Sequence, residues 1–152
     1  MRIQAVVFDT TYFLPSFGVE VDVDSTENIR RAIRRFVSKG GSIVVSFMTP
    51  LEALLKACRI AEKQESSIGF LKARVGFEAM VSDPIVKIVG YSDIAVLEEA
   101  VSIRRAHRDP FDCFIFATAR AKSLPLLTED EEAQQYVSHV ISWEEFKSKL
   151  LS

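Results

Sequence analysis

The sequence contains few cysteines and few histidines. Among its 152 residues there are two cysteines, Cys58 and Cys113, and two histidines, His107 and His139. Both cysteines lie among apolar neighbours in predicted helices, which indicates small core residues of a reducing compartment rather than a disulfide framework or metal site. His107 is predicted to help end a helix, and His139 to belong to a short strand.

The sequence also lacks long apolar runs and segments of biased composition. No run approaches the ~20 residues of a membrane-spanning helix, and the opening stretch MRIQAVVFD lacks the apolar core of a signal peptide. There is no internal repeat or interdomain linker. With 48% hydrophobic and 26% charged residues, we expect one globular domain over residues 1–152 in the cytoplasm, with no membrane association. The formal charge of −2 neither favours nor excludes nucleic acid.

Apolar β-branched runs alternate with amphipathic helices along the chain. This alternation predicts a parallel sheet between two helical layers, an α/β/α sandwich. The segment 14–24 contains Pro15 and Gly18 and predicts a short exposed strand or an extended loop. Strands are predicted at 3–8, 42–47, 85–91, 124–128 and 139–141, and helices at 25–38, 49–63, 67–80, 92–105, 110–123, 131–136 and from 143.

Four carboxylates follow predicted strands or open the helix leading into one. Asp9 ends the first strand, Glu52 follows the second, Asp112 opens the helix before the fourth, and Asp130 follows the fourth. Ligand sites of parallel sheets gather at the carboxyl ends of the strands. If the first, second and fourth strands are neighbours, the four carboxylates meet at one edge of the sheet.

Structural roles are also open to some of these acids. Thr49 and Glu52 have the spacing of a capping box, and Lys56 is placed to pair with Glu52. Thr128 and Glu131 form a second such spacing, which would leave Asp130 within a first helical turn. Asp9 has no comparable structural role unless a helix starts immediately after it.

Asp109 and Asp112 both fall in the first turn of the helix that Pro110 opens, where carboxylates satisfy free N–H groups. Asp112, however, heads a helical stripe that continues through Ile115 and Phe116. An unpaired charge there would be costly, so the cap interpretation fits Asp109 better. Four converging carboxylates would repel one another unless protonated or bound to a cation. An all-oxygen cluster suits Mg²⁺ or Mn²⁺.

These motifs resemble the PIN domain family, which includes the VapC-type toxins of toxin–antitoxin pairs. The resemblance rests on VVFDTT at the first strand, TPLEALL after the second, and DPFDCFIFATARAKSLPLLTED, which contains Asp112 and Asp130. It implies a five-stranded parallel sheet in an α/β/α sandwich, frequent dimers and metal-dependent ribonuclease activity. Residue by residue, it implies an acidic quartet, an auxiliary acid and two neighbouring hydroxyls: Asp9, Glu52, Asp112 and Asp130; Asp109; Thr10 and Thr128.

The function predicted from the sequence is metal-assisted hydrolysis of RNA phosphodiester bonds, with an antitoxin and a second copy of the chain as expected partners. Phosphate contacts are expected from the arginines beside the acids, and Tyr12 and Phe17 are predicted as the better exposed aromatic residues for base stacking. Those arginines are Arg104, Arg105, Arg108 and Arg120. A denser cluster, Arg30, Arg31, Arg34 and Arg35, is interpreted as a solvated helix face, with RNA or an acidic partner segment as the alternative.

Two other functions remain open at this point. A haloacid-dehalogenase-like phosphatase would use Asp9 as nucleophile, but that family expects an acid two residues later, where Thr11 stands. A PIN-like module that binds RNA or protein without cutting would need no acidic quartet. Neither alternative accounts for the acids as well as a nuclease does.

Overall fold

The computed structural model describes residues 4–151, in which five parallel strands form one sheet of order β3-β2-β1-β4-β5 between helical layers. The predicted α/β/α architecture is confirmed; Ile3, predicted to open the first strand, lies outside the described residues. The strands are β1 Ala5–Phe8, β2 Ser42–Ser46, β3 Val86–Val89, β4 Leu126–Leu127 and β5 Val140–Ile141. The α-helices are α1 Thr26–Ser38, α2 Met48–Lys63, α3 Ser67–Ser82, α4 Ile94–Arg104, α5 Pro110–Lys122 and α6 Trp143–Leu151. Short 3-10 helices cover Thr10–Tyr12, Leu14–Phe17 and Glu131–Gln135.

The sheet separates two apolar cores. Consecutive residues of a strand point to opposite faces, so Val6 and Phe8 enter one core while Val7 enters the other. The first core contains an aromatic cluster in which the rings of Phe36 and Phe146 lie 5.3 Å apart. The second is formed largely by α4 and α5, and Cys113 lies there as a buried free thiol, as predicted.

β1 lies at the centre of the sheet and positions the carboxyl edge. Val7 pairs with Val44 of β2 on one side and with Leu126 of β4 on the other. The first, second and fourth strands are therefore neighbours. Adjacent strands are about 4.8 Å apart, so the residues that follow β1, β2 and β4 lie side by side.

The segment between β1 and α1 differs in part from its prediction: residues 14–17 are helical, while residues 19–24 form the irregular connection that was one of the two predicted alternatives. Leu14–Phe17 is a buried 3-10 helix that ends at Gly18 with a φ of +82°, rather than an exposed strand or loop. Phe17 is 1% exposed and Tyr12 is 2% exposed, so the prediction that these two rings are available for base stacking was wrong. Both rings are buried in the first core instead.

No helix within residues 4–151 is both long enough and apolar enough to cross a membrane.

Candidate metal centre

Asp9 occupies the residue after β1 and is held at both carboxylate oxygens. The backbone N–H of Thr10 donates to Oδ1 at 2.7 Å, and the hydroxyl of Thr128 donates to Oδ2 at 2.6 Å. Burial raises the pKa of Asp9, and the charge of Asp130 raises it further, although the two hydrogen bonds oppose this shift. The carboxyl is thus oriented by its neighbours but is costly to ionise.

Glu52 lies in the second turn of α2 and is 4% exposed. It accepts a hydrogen bond from the hydroxyl of Thr10, and Nζ of Lys56 lies 3.5 Å from Oε2, the ion pair expected from the sequence. Burial raises the pKa of Glu52, and the charges of Asp9 and Asp112 add to the shift. The side chain therefore faces the other acids from the neighbouring helix.

The predicted capping box at Thr49 is wrong. α2 begins at Met48, Phe47 caps it without a side-chain hydrogen bond, and the buried Thr49 hydroxyl has no hydrogen-bond partner within residues 4–151. The chain turns directly from β2 into α2, two residues earlier than the box requires. Glu52 consequently makes no cap and remains available at the acidic edge.

Asp109 and Asp112 have separate roles at the start of α5. Oδ1 of Asp109 caps the helix, accepting from the N–H groups of Phe111 at 2.8 Å and of Asp112 at 3.2 Å. Asp112 is not used as the cap. Burial raises the pKa of Asp112, and the charges of Asp109, Asp9 and Asp130 raise it further. The apolar stripe below Asp112 is the cause of that burial, since Ile115 and Phe116 are at most 1% exposed.

His107 contacts the site in a way that the sequence analysis missed. Its backbone N–H bonds to Ile103 near the end of α4, as a helix-ending role predicts. Its ring, however, places Nε2 3.0 Å from Oδ2 of Asp112 and Nδ1 3.3 Å from Oε2 of Glu132. The hydrogen bond from His107 lowers the pKa of Asp112 and partly offsets its burial. Five residues separate His107 from Asp112, and no sequence motif marks that pair.

Asp130 caps the 3-10 helix Glu131–Gln135 through a 2.9 Å hydrogen bond from the N–H of Glu132 to Oδ1. The predicted capping box at Thr128 is therefore wrong, because Asp130 itself is the cap. The hydroxyl of Thr128 instead accepts from the N–H of Asp130 at 3.1 Å while donating to Asp9. Asp130 is close enough to raise the pKa of both Asp9 and Asp112.

The geometry brings three ligand atoms together at one point. One carboxylate oxygen each from Glu52, Asp109 and Asp112 lies within 4.8 Å of the others. Asp109 thus joins the acids that converge, whereas Asp9 and Asp130 adjoin this trio without belonging to it. Three carboxylate oxygens that converge in this way fit a hard divalent cation such as Mg²⁺ or Mn²⁺.

The arginines nominated for phosphate contacts are not all beside these acids. Arg104 donates to the carbonyl of His107 at 3.2 Å, and Arg105 caps the end of α4. Arg108 is exposed next to Asp109 and forms no ion pair with any residue between 4 and 151. Arg120 lies eight residues beyond Asp112 along α5, about 12 Å by helical rise, and its Nε is 3.0 Å from Oε2 of Glu99.

Comparison with family models gives one match, to the PIN domain, over residues 6–138. The chain belongs to the PIN domain family. The acidic cluster therefore lies within a PIN domain, a family of nucleases. A search of curated proteins gave no significant match.

Solved structures show the same PIN fold at low sequence identity. VapBC2 from Rickettsia felis, bound to a DNA fragment from its promoter, matches with a TM-score of 0.63 and 13% identity over 92% of this chain and 99% of that one. VapBC-1 from nontypeable Haemophilus influenzae matches with 0.61 and 14% over 93% and 99%. FitAcB from Neisseria gonorrhoeae matches with 0.56 and 16% over 90% and 96%.

Proposed function

We propose that this PIN domain, taken as one domain over residues 1–152, is a Mg²⁺- or Mn²⁺-dependent endoribonuclease. It would act in the cytoplasm as the toxin of a toxin–antitoxin pair. The observation that carries the proposal is the convergence of Glu52, Asp109 and Asp112 beside Asp9, with burial opposing ionisation of three of these four carboxyls. Such a cluster is stabilised by a bound cation, and PIN family membership supports hydrolysis as its use.

Glu52, Asp109 and Asp112 would hold the cation, with Asp9 and Asp130 completing the negative edge. Bound there, a divalent ion would lower the pKa of a water and offset charge on the scissile phosphate. Asp9 retains lone pairs beyond the two hydrogen bonds that it accepts. One of these lone pairs would accept a hydrogen bond from the attacking water and then its proton, and this contact would fix the direction of attack. Thr10 and Thr128 act through Glu52 and Asp9, which they orient.

The positive groups closest in sequence to these acids supply the phosphate contacts. Arg108 precedes the capping Asp109 and is exposed, and its guanidinium is not committed to an acid within residues 4–151. Lys56 is half exposed and reaches the site from α2. Cations at these two positions would bind the nucleotides that flank the cleaved bond.

The test of this function is cleavage of a pooled RNA substrate across a titration of Mg²⁺ and Mn²⁺. The parent should cleave RNA, EDTA should abolish cleavage, and Asp9→Asn and Asp112→Asn should each lower the rate by at least about 100-fold. Glu98→Gln is the matched control because Glu98 is exposed on α4, outside the site. Cleavage that persists in EDTA or survives both substitutions would contradict the proposal.

The same assay separates the two alternative functions. RNA that is bound but never cut by metal-loaded protein would favour a non-cleaving binding module. Release of phosphate from small phosphomonoesters, lost in Asp9→Asn, would favour a phosphatase. No observation in the structure favours either of these, and Asp9 is held by two hydrogen bonds as an acceptor rather than presented as a nucleophile.

An antitoxin would dock in an apolar groove of about 490 Å³ between α1, α3 and the 3-10 helix Leu14–Phe17. Ile29, Ile33 and Met80 line the groove, while Arg30 and Arg34 lie along its α1 side. This combination fits an amphipathic partner segment with apolar anchors and acidic flanks. The double substitution Arg30→Glu/Arg34→Glu should weaken such a partner without affecting RNA cleavage.

A homodimer is also proposed. In the described chain every exposed large apolar side chain lies between residues 51 and 101, and the proposed dimer surface is the part of this set on α2 and α3, which excludes Tyr91 and Ile94. Concentrated apolar exposure of this kind is typical of a covered surface. Sedimentation equilibrium of the purified chain tests it: a monomer at micromolar concentration would contradict the dimer.

A further inference from the structure

The carboxyl edge of the sheet has an acidic half and an aromatic half. β1 and β4 lead into the acids of the candidate metal centre, whereas β2 and β3 lead into aromatic residues. Phe47 directly follows β2, and Tyr91 stands two residues after β3. Because neighbouring strands are about 4.8 Å apart, Phe47 lies beside the end of β1 and hence beside Asp9.

Three rings contact one another in the aromatic half. The ring of Phe47 lies 5.2 Å from that of Phe114 and 6.4 Å from that of Tyr91, edge to face in both pairs. Phe114 belongs to α5 and follows Asp112 by two residues. Phe47 therefore adjoins α2, which carries Glu52, and Phe114 lies on α5, which carries Asp112, whereas Tyr91 lies on the connection between β3 and α4. We call Phe47, Tyr91 and Phe114 the aromatic edge.

Core packing accounts for Phe47 and Phe114 but not for Tyr91. Phe47 and Phe114 are half-buried, and Phe114 packs against the second core. Tyr91 is 75% exposed, the largest exposed fraction among the large apolar and aromatic side chains of the described chain. Its one ring contact within residues 4–151 is with Phe47. A large ring is thus presented to solvent at the carboxyl edge of the sheet, two strands away from the one that Asp9 follows.

The backbone holds Tyr91 close to Phe47. The N–H of Phe47 donates to the carbonyl of Val89 at 3.1 Å, which joins the residue after β2 to the end of β3. The hydroxyl of Ser46 accepts from the N–H of Met48 at 3.1 Å and fixes the turn into α2. The ring of Tyr91 therefore follows a strand end that is hydrogen-bonded to Phe47, and the turn that carries Phe47 is itself fixed.

We propose that the aromatic edge binds an unpaired nucleobase of the RNA by stacking against Tyr91. The identity of the ligand rests on the proposed ribonuclease function; the platform itself rests on the ring geometry. Tyr91 follows β3, two strand spacings or about 10 Å from β1, so an RNA strand whose base stacks on Tyr91 would continue along this edge towards Asp9 and the trio of Glu52, Asp109 and Asp112. The bases of a duplex are already stacked on one another, so such a site selects single strands and loops. Every base has a π-face, so the contact adds affinity without selecting a sequence.

Binding measurements with single-stranded RNA test the stacking contact apart from catalysis. All proteins carry Asp112→Asn, which removes cleavage, and bind a fluorescent octanucleotide or versions with one abasic position. Tyr91→Ala should weaken binding of the intact strand about five- to 100-fold, whereas Tyr91→Phe should bind as tightly as tyrosine. Ile94→Ala is the control, since Ile94 is 65% exposed nearby and carries no ring.

The abasic strands supply the decisive comparison. One abasic position should weaken binding to the tyrosine protein and have no further effect on Tyr91→Ala, because both changes remove the same contact. Additive losses, unchanged binding in Tyr91→Ala, or a dimer that becomes a monomer in Tyr91→Ala would overturn the proposal. If the parent fails to cleave RNA but the coupling is present, the stacking site stands and the ribonuclease function falls. If the parent cleaves RNA and the coupling is absent, the ribonuclease function stands and the stacking site falls.

Discussion

The hydroxyl of Thr128 donates a 2.6 Å hydrogen bond to Oδ2 of Asp9, a residue 119 positions away in the sequence. The hydroxyl oxygen of Thr128 also accepts a 3.1 Å hydrogen bond from the N–H of Asp130. Thr128 is 2% exposed, so water does not compete for these contacts. The buried side chain of Thr128, directly after β4, thus fixes the positions of Asp9 and Asp130, which come from opposite ends of the chain.

Substitution of Thr128→Val should lower the RNA cleavage rate by about 10- to 100-fold, the usual cost of removing an outer hydrogen bond at a metal site, with a smaller effect on divalent-cation affinity because Asp9 is not one of the three proposed ligands. Valine keeps the shape and removes the hydroxyl, so Asp9 loses a donor while the strand is unchanged. Calorimetric Mn²⁺ titration and RNA cleavage rates measure the effect. Thr118→Val is the matched control, since its buried hydroxyl bonds only to the carbonyl of Phe114 within α5. Equal losses in both variants would contradict a specific role for Thr128.

His107 is expected to be a positioning residue for Asp112. His107→Phe preserves a ring against Phe116 and Tyr136, whose centroids are each 5.5 Å away, and removes both hydrogen bonds to carboxylates. We expect Mn²⁺ affinity to fall about 10- to 100-fold while the melting temperature changes little. Glu132→Gln alters the partner of Nδ1 of His107 and leaves the contact of Nε2 with Asp112 in place, so it should lower Mn²⁺ affinity less. A large loss of stability in His107→Phe would show a structural role instead.

The 3-10 helix Leu14–Phe17 depends on close approach of α3. A Cβ at Gly76 would lie 2.6 Å from the carbonyl oxygen of Ser16 and 2.8 Å from Cα of Phe17, both backbone atoms. Gly76→Ala should therefore destabilise the fold by about 1–3 kcal/mol despite the better helix propensity of alanine. Urea denaturation measures it. Gly90→Ala is the control because nothing lies within 4 Å of its Cβ, and it should leave stability nearly unchanged.

Asp24 should make stability depend on pH in acid. The indole N–H of Trp143 donates to Oδ2 of Asp24 at 2.8 Å, and this bond, with those from Asn28 and Lys147, holds the pKa of Asp24 below its ordinary 3.8. As the pH falls, the Asp24 carboxylate is therefore protonated at a higher pH in the unfolded chain than in the folded protein. Its stabilisation is present above pH 3.8 and is lost as pH falls towards the folded value.

Urea denaturation of Asp24→Asn between pH 7 and pH 2 checks this sign. At pH 7 the variant should be about 1–3 kcal/mol less stable than the parent, the cost of a hydrogen-bonded charge. The difference should stay constant down to pH 5 and narrow below it. Asp22→Asn, an exposed neighbour, should follow the parent at every pH. A difference that widens in acid would contradict the assignment.

The parallel sheet and the presence of acids at its carboxyl edge were predictable from local pattern, whereas the neighbouring positions of β1, β2 and β4 were a condition of the prediction that the structure fulfils. The apolar β-branched runs and intervening helices specify a parallel sheet, and a residue that ends a strand must lie at its edge. Asp9 and Glu52 could therefore be placed from sequence. The exact trio could not, because which oxygens converge depends on the start of α2 at Met48 and on the cap at Asp109.

Contacts between side chains distant in sequence account for the wrong predictions. Tyr12 and Phe17 were interpreted as exposed because most other phenylalanines occupy core-like positions, yet Tyr12 stacks on Trp143 at 5.3 Å. His107 carries no motif that connects it with Asp112. The two capping boxes failed for a local reason, since each helix begins two residues away from the position that the box requires.

Manganese binding measured by electron paramagnetic resonance tests the central claim most directly. Free Mn²⁺ gives a signal that is lost on binding, so titration of parent, Asp112→Asn and Glu98→Gln gives affinity and stoichiometry without any substrate. We predict saturable binding in the parent and in Glu98→Gln, competed by Mg²⁺, with at least a tenfold loss of affinity in Asp112→Asn. Equal binding by all three proteins, or none by the parent, would contradict a metal centre at Glu52, Asp109 and Asp112.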